Sequence, residues 1–124
     1  MSGDGLELSG THVKYLMVIY EIGRAGQTVC SAQVAQRLEV SRPSVTRMLG
    51  VLTQKGLTVK ERYGKIALTA EGWRVAGCYE SIIDNLARLL PQAGLALTPE
   101  ELRQAAIALA GALPARCVLN PPRV

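Results

Sequence analysis

Apolar residues recur at three- and four-residue spacings between about Thr11 and Arg24. Val13, Leu16, Met17, Ile19 and Tyr20 fall on one stripe, so the spacing predicts a helix. Thr11 is its expected N-cap. The Gly23–Gly26 turn ends it, since glycine takes a positive φ without penalty. A second helix is expected over about Ser31–Leu38, capped by Ser31, with Val34, Ala35 and Leu38 inward. After the short link Glu39-Val40-Ser41, a third helix is expected from about Arg42 to Lys55. Ser41 is its cap, and Pro43 sits in the first turn, where backbone N–H groups have no intrahelical partner to lose. Val45, Met48, Leu49 and Leu52 form its inward stripe, and Gly56 closes it.

The period then shortens to two. Leu57, Val59 and Glu61, and later Ile66 and Leu68, predict strands at about 57–62 and 65–69 joined by a tight turn at Arg62–Lys65. Helical spacing returns from Thr69 to about Leu90, with Val75, Tyr79, Ile82, Ile83, Leu86 and Leu90 on one stripe. Pro91–Gly94 breaks it. Thr98-Pro99-Glu100-Glu101 combines a Thr cap, a Pro at the first helical position and a Glu at the third, which opens a last helix over about 99–113. Leu102, Ala105, Ala106, Leu109 and Leu113 are its expected apolar face, and Pro114 ends it. The fold class is mainly α: a winged helix-turn-helix followed by a helical dimerisation arm. The expected divisions are a disordered tail at 1–10, a DNA-binding domain at 11–72, a dimerisation region at 73–113 and a flexible tail at 114–124.

Composition narrows this further. The chain is 124 residues with 48% hydrophobic and 19% charged positions, enough to fold as one small domain. There is no Phe and only one Trp, so aliphatic side chains must fill the core. Trp73 is expected to anchor the DNA module to the arm. No apolar run reaches the ~18 residues a membrane span needs. The start MSGDGLELSG has neither the basic nor the apolar segment of a secretory signal. Cys30, Cys78 and Cys117 show no CxxC spacing and read as three reduced, buried thiols of a cytoplasmic protein, with oxidant sensing or soft-metal binding as the alternative.

The net charge is only +4, but its distribution is uneven. Residues 42–65 hold Arg42, Arg47, Lys55, Lys60, Arg62 and Lys65 against Glu61 alone. That is +5 in 24 residues, which leaves −1 for the other hundred. The excess coincides with the third helix and the hairpin. A helix fits the major groove of B-DNA, and its N-terminal residues approach base edges. Arg42, Pro43, Ser44, Thr46 and Arg47 occupy that half. Arg47 has the geometry for a bidentate contact to guanine. Pro43 and the Thr46 methyl suit a thymine methyl, and the Ser44 and Thr46 hydroxyls suit phosphates. Arg62, Tyr63 and Lys65 would follow the backbone or minor groove. Ser41 is read as a cap only. For Thr46 the alternative is inward packing, and Tyr63 can equally fill the turn.

The run VAQRLEVSRPSVTRMLGVLTQKGLTVKERYGKIALTAEG, Val34 to Gly72, resembles the diphtheria-toxin-repressor and manganese-transport-regulator family of metal-dependent repressors. The segment THVKYLMVIYEI resembles that family's first helix. The resemblance implies a homodimer on a pseudo-palindromic operator, with DNA contacts at Arg42, Pro43, Ser44, Thr46 and Arg47. It also implies Mn2+ or Fe2+ as cofactor, but the matching ligand positions carry the wrong chemistry. On the first helix, where that family carries an Asp followed three residues later by Glu or Met, they hold Lys14, whose ammonium repels a cation, and Met17; on the helix after the wing, near the family's His, stands Ile83, followed by Asp84. The later Glu-x-x-Glu-His group is missing, since Glu100 and Glu101 adjoin with no His after them. His12, the single histidine, is read as a surface or capping residue. A site improvised from Glu7, His12, Asp84 and Glu100 is disfavoured, so no metal ligand is assigned and the cofactor is left unknown.

The expected function is a sequence-specific transcriptional regulator, a repressor that occupies an operator as a homodimer. The alternatives are a winged-helix protein-interaction module without DNA, or a regulator like those of multiple-antibiotic resistance that answers to a small molecule. The short Glu61-Arg62-Tyr63-Gly64 loop lacks the Asp-Arg-Arg usual in the latter. No base and nucleophile can be paired around one histidine, so an enzyme is not expected.

Overall fold

The computed structural model describes residues 6–120, which form six α-helices and one three-stranded antiparallel sheet. In chain order these are α1 (Gly10–Arg24), β1 (Val29–Cys30), α2 (Ser31–Leu38), α3 (Arg42–Gln54), β2 (Thr58–Lys60), β3 (Lys65–Leu68), α4 (Ala70–Leu89), α5 (Pro99–Ala112) and α6 (Ala115–Leu119). The described residues divide into two compact units, one of Tyr15–Ala76 and one of 6–14 with 77–120.

In the first unit α1 is apolar almost all round: Tyr15, Leu16, Met17, Ile19 and Ile22 are buried. A helix buried on most faces must be enclosed by its neighbours. Val34 and Ala35 of α2, Val45 and Leu52 of α3, and Leu57, Ile66 and Leu68 of the wing are buried with it. Each large aliphatic side chain so removed from water contributes roughly 1.5–3 kcal/mol. The α3 stripe is narrower than its spacing suggested, because Met48 and Leu49 stay half-buried.

The hairpin is shorter than expected, and the sheet is larger. β2 and β3 pair with Val59 opposite Ala67, and Arg62–Gly64 forms a 3-10 turn between them. The two-residue β1 pairs with β3, Val29 opposite Ile66. No alternation is readable in two residues, so this third strand was hidden in the sequence. The wing's base is tied down at Thr69. Its hydroxyl donates to the Gly56 carbonyl (2.6 Å) and accepts the Gly72 N–H (2.9 Å), while its own N–H donates to the Leu57 carbonyl (3.0 Å). Gly72 lies so close that a Cβ there would meet the Leu57 oxygen at 2.0 Å. The end of the α3 segment and the start of α4 are thereby joined through backbone.

In the second unit, Ser9 rather than Thr11 caps α1. His12 N–H donates to Ser9 Oγ (3.2 Å), and Ser9 N–H donates to His12 Nδ1 (3.0 Å), a reciprocal cap with histidine at the third position. Leu8 is buried, so this stretch is not part of a tail. Of the expected 1–10 tail, residues 1–5 lie outside the described residues. The Thr98–Glu101 capping box is present as read. The face of α5 is rotated, however. Ala106, Ile107, Ala110 and Gly111 are buried, while Leu109 and Leu113 are 43% and 39% exposed. The small residues win because backbone comes close: a Cβ on Gly111 would sit 2.8 Å from the Gly10 Cα. The expected flexible tail from 114 instead holds α6, which buries Ala115, Val118 and Leu119; its last four positions, 121–124, lie outside the described residues. Tyr79 is fully buried, and its hydroxyl meets no partner among the described residues. Burial, with Cys78 adding to it, pushes its phenol above the ordinary value of 10.0.

Three substitutions check this packing. Gly72→Ala should cost on the order of 1–3 kcal/mol in urea unfolding through its clash with Leu57. Gly77→Ala, at an α4 position with open space, should be neutral or stabilise by up to ~1 kcal/mol. Tyr79→Phe should raise stability at neutral pH by about 1 kcal/mol, since it removes a buried hydroxyl with no partner. The raised phenol favours the fold fully below the ordinary tyrosine pKa. It loses that contribution as pH climbs through the folded value, so Tyr79→Phe should also flatten the alkaline loss of stability.

Candidate nucleic-acid interface

The turn that sets α3 against α2 is built from backbone. Glu39 takes a left-handed conformation (φ 56°), and Val40 N–H donates to the Ala35 carbonyl at 3.0 Å. Cys30, not Ser31, stands at the cap of α2, and the Gln33 side-chain oxygen accepts its N–H at 3.3 Å. Ser31 is instead the first helical residue. Ser41 caps α3 as read: its Oγ accepts the Ser44 N–H at 3.3 Å.

Arg42, Pro43, Thr46 and Arg47 are exposed along the first half of α3. Ser44 is only half-buried, but its hydroxyl is already 2.8 Å from Ser41 Oγ. It is better placed to hold the cap than to reach outward. Thr46 is exposed, so inward packing does not account for it. Arg62, Tyr63 and Lys65 are exposed at the wing. Tyr63 is 92% exposed with φ 62°, and Gly64 follows at φ 73°. A bulky residue held left-handed at a tip, with its ring in solvent, costs roughly 1 kcal/mol or more of strain and gains no packing.

The electrostatics are decisive. None of Arg42, Arg47, Lys55, Lys60, Arg62 and Lys65 has a side-chain partner among the described residues. Elsewhere, arginines are engaged: Arg37 with Glu21 at 2.8 Å, Arg74 with Glu71 at 2.7 Å, and Arg103 with Glu80 at 2.9 Å. The cations of 42–65 are thus left without counter-charges. A groove of about 380 Å³ runs between α3 and the sheet, lined by Ser31, Thr46, Thr53, Thr58, Lys60 and Gly64 among others. Ser31, Thr53 and Lys60 are not among the DNA-contacting residues that the sequence predicts. Lys60 had a signal, its place in the cationic run. Ser31 and Thr53 are brought there only by the fold.

The three cysteines are not buried as expected. Cys30 and Cys78 are half-buried and Cys117 is exposed, all as free thiols. Trp73 packs edge-on against Tyr20 of α1 (centroids 5.5 Å apart, 63°) and stays 41% exposed. The positions where the resemblance implies metal ligands do not fit a divalent cation. Lys14 is an exposed ammonium, while Met17 and Ile83 are enclosed in apolar core. No three His, Cys, Asp or Glu side chains gather among the described residues. No helix among them is long and apolar enough to cross a membrane.

Residues 7–66 match the family model "Iron dependent repressor, N-terminal DNA binding domain". No curated protein matches the chain in sequence. Among solved structures, the manganese regulator SloR superposes with a TM-score of 0.70 at 23% identity, over 96% of this chain and 57% of its own. IdeR of T. acidophilum gives 0.68 at 22% identity, over 86% and 49%. The hypothetical protein SSo2273 of Sulfolobus solfataricus gives 0.60 at 21% identity, over 93% and 92%. The chain spans about half the length of the first two.

The wing tip offers a direct check. Tyr63→Gly should leave the fold intact and stabilise it by up to ~1 kcal/mol in thermal unfolding, since the left-handed strain is relieved. If the ring serves DNA, the same variant should bind duplex more weakly.

Proposed function

From the match of residues 7–66 to the iron dependent repressor N-terminal DNA-binding domain, we propose that the protein is a transcriptional repressor acting in the cytoplasm as a homodimer on a pseudo-palindromic operator. The observation that carries this is the set of six exposed or half-buried cations on α3 and the wing that no described residue neutralises. Arg42, Pro43, Thr46 and Arg47 would enter the major groove, with Arg47 reading a guanine edge. Lys60, Arg62, Tyr63 and Lys65 would hold phosphates beside it. The Ser31–Thr53 groove suits the sugar-phosphate strand between them.

Dimerisation is supported by the residues that the second unit leaves outside. Leu89 of α4 and Leu109 of α5 are 56% and 43% exposed, and Leu113, extended just past the end of α5, is 39% exposed. Water contact at such residues is relieved by a second copy. The arrangement of the described residues favours no chemical reaction. It favours no Mn2+ or Fe2+ requirement either, because Lys14 and Ile83 supply no ligand and the Met17 thioether is enclosed in apolar core.

Selection from a random duplex library, followed by salt titration, tests the reading. Enrichment of an inverted repeat, with half-sites about one helical turn apart, is expected. No enrichment, or affinity indifferent to salt, contradicts it. Arg47→Ala should lose about 1–3 kcal/mol of discrimination at one base pair, whereas Lys65→Ala should weaken all sequences alike and lower the log–log salt slope by about one. Affinity should differ by less than about twofold between Mn2+ and chelator, because a ligand with no site shifts no equilibrium.

A further inference from the structure

A second cavity, of about 270 Å³, opens in the first unit at the root of the wing. Ile19 and Gly23 of α1 and the ring of Trp73 form its apolar side, and Gln27, Glu61 and Lys65 its polar side. Trp73 is kept upright here. Tyr20 meets its edge, and a Cβ on Gly23 would lie 3.4 Å from the ring, so glycine leaves room for it. Glu61 N–H donates to the Lys65 carbonyl at 2.7 Å, which holds these two residues side by side. Yet neither the carboxylate nor the ammonium has a partner among the described residues, nor does the Gln27 amide.

An anion and a cation at neighbouring positions, unpaired, beside an exposed indole form a receptor of definite chemistry. It matches a small molecule that carries both an ammonium and a carboxylate on one carbon and an apolar group beyond them. The volume lies below the range of about 300–1,000 Å³ typical of drug-sized ligands, so the occupant is small. We propose that this cavity binds a free α-amino acid with an apolar or aromatic side chain, and that its occupation weakens DNA binding. The ammonium meets Glu61, the carboxylate meets Lys65 and Gln27, and the side chain lies against Trp73. The regulatory half rests on the DNA-binding reading above. Lys65 cannot hold a ligand carboxylate and a DNA phosphate at once, so the free protein binds the amino acid better than the DNA complex does, and the coupling is reciprocal.

Trp73 is the single tryptophan of the chain, so its emission reports this cavity in the intact protein without any DNA. The probes are L-phenylalanine and L-leucine, with phenethylamine and 3-phenylpropanoate as analogues that each lack one charge. A saturable emission change is expected for at least one amino acid, with half-saturation between about 10 µM and 1 mM. The single-charge analogues, and Glu61→Gln with the amino acid, should bind about two- to fivefold more weakly, the scale of a solvent-exposed ion pair. No saturable change up to about 10 mM, or equal binding by the analogues or by Glu61→Gln, overturns the site. In a second arm, saturating amino acid should lower the salt slope of duplex binding by about one. An emission response with unchanged duplex affinity overturns the regulatory half and leaves the site. Absence of any duplex binding overturns the DNA reading and leaves the emission result intact.

Discussion

Like charges gathered without counter-charges raise the free energy of a folded chain. Residues 42–65 do this with six cations on one helix and one hairpin, while Arg37, Arg74 and Arg103 each sit within 3 Å of a carboxylate. Everything around them acts to hold that arrangement still. The Glu39–Val40 turn sets α3, the Ser41–Ser44 cap fixes its first turn, and the Thr69 hydroxyl with the close-packed Gly72 fixes the root of the wing. A surface organised at this cost in repulsion, with Tyr63 strained at its tip, is consistent with a polyanion as its partner.

The elements with long periodic patterns were legible. The stripes of α1 and α4, the cap at Ser41, the glycine at 56 and the box at Thr98–Glu101 each state a local rule that the fold obeys. What escaped depends on distant contacts. β1 is two residues long and exists only because β3 lies beside it. The reciprocal cap at Ser9 uses histidine, which the usual Glu or Gln pattern does not anticipate. On α5 the leucines looked like the inner face, yet the close backbone approach at Gly10 and Gly111 selects alanine and glycine for it. Hydrophobicity alone cannot rank a small residue above a large one where two backbones nearly touch.

The same division holds for the candidate interface. Arg42, Pro43, Thr46, Arg47, Arg62, Tyr63 and Lys65 are candidates from the sequence because charge and helix start coincide there, and all are exposed. Ser44 was readable as a hydroxyl but not as one occupied by Ser41. Ser31 and Thr53 join the groove only in three dimensions. The metal positions point the other way. The resemblance supplies a place for a cation, and the residues there, an ammonium and buried apolar chains, supply none of its ligands. Control of such a protein is then to be sought in another chemistry, and the unpaired Glu61 and Lys65 beside Trp73 offer one.

Amide chemical shifts recorded with and without a short duplex would test the central claim most directly. The account predicts shifts concentrated at residues 42–47 and 58–65, with α5 and α6 unmoved by a duplex holding a single half-site. Shifts centred on α5, or none at α3 while the duplex is bound, would contradict it.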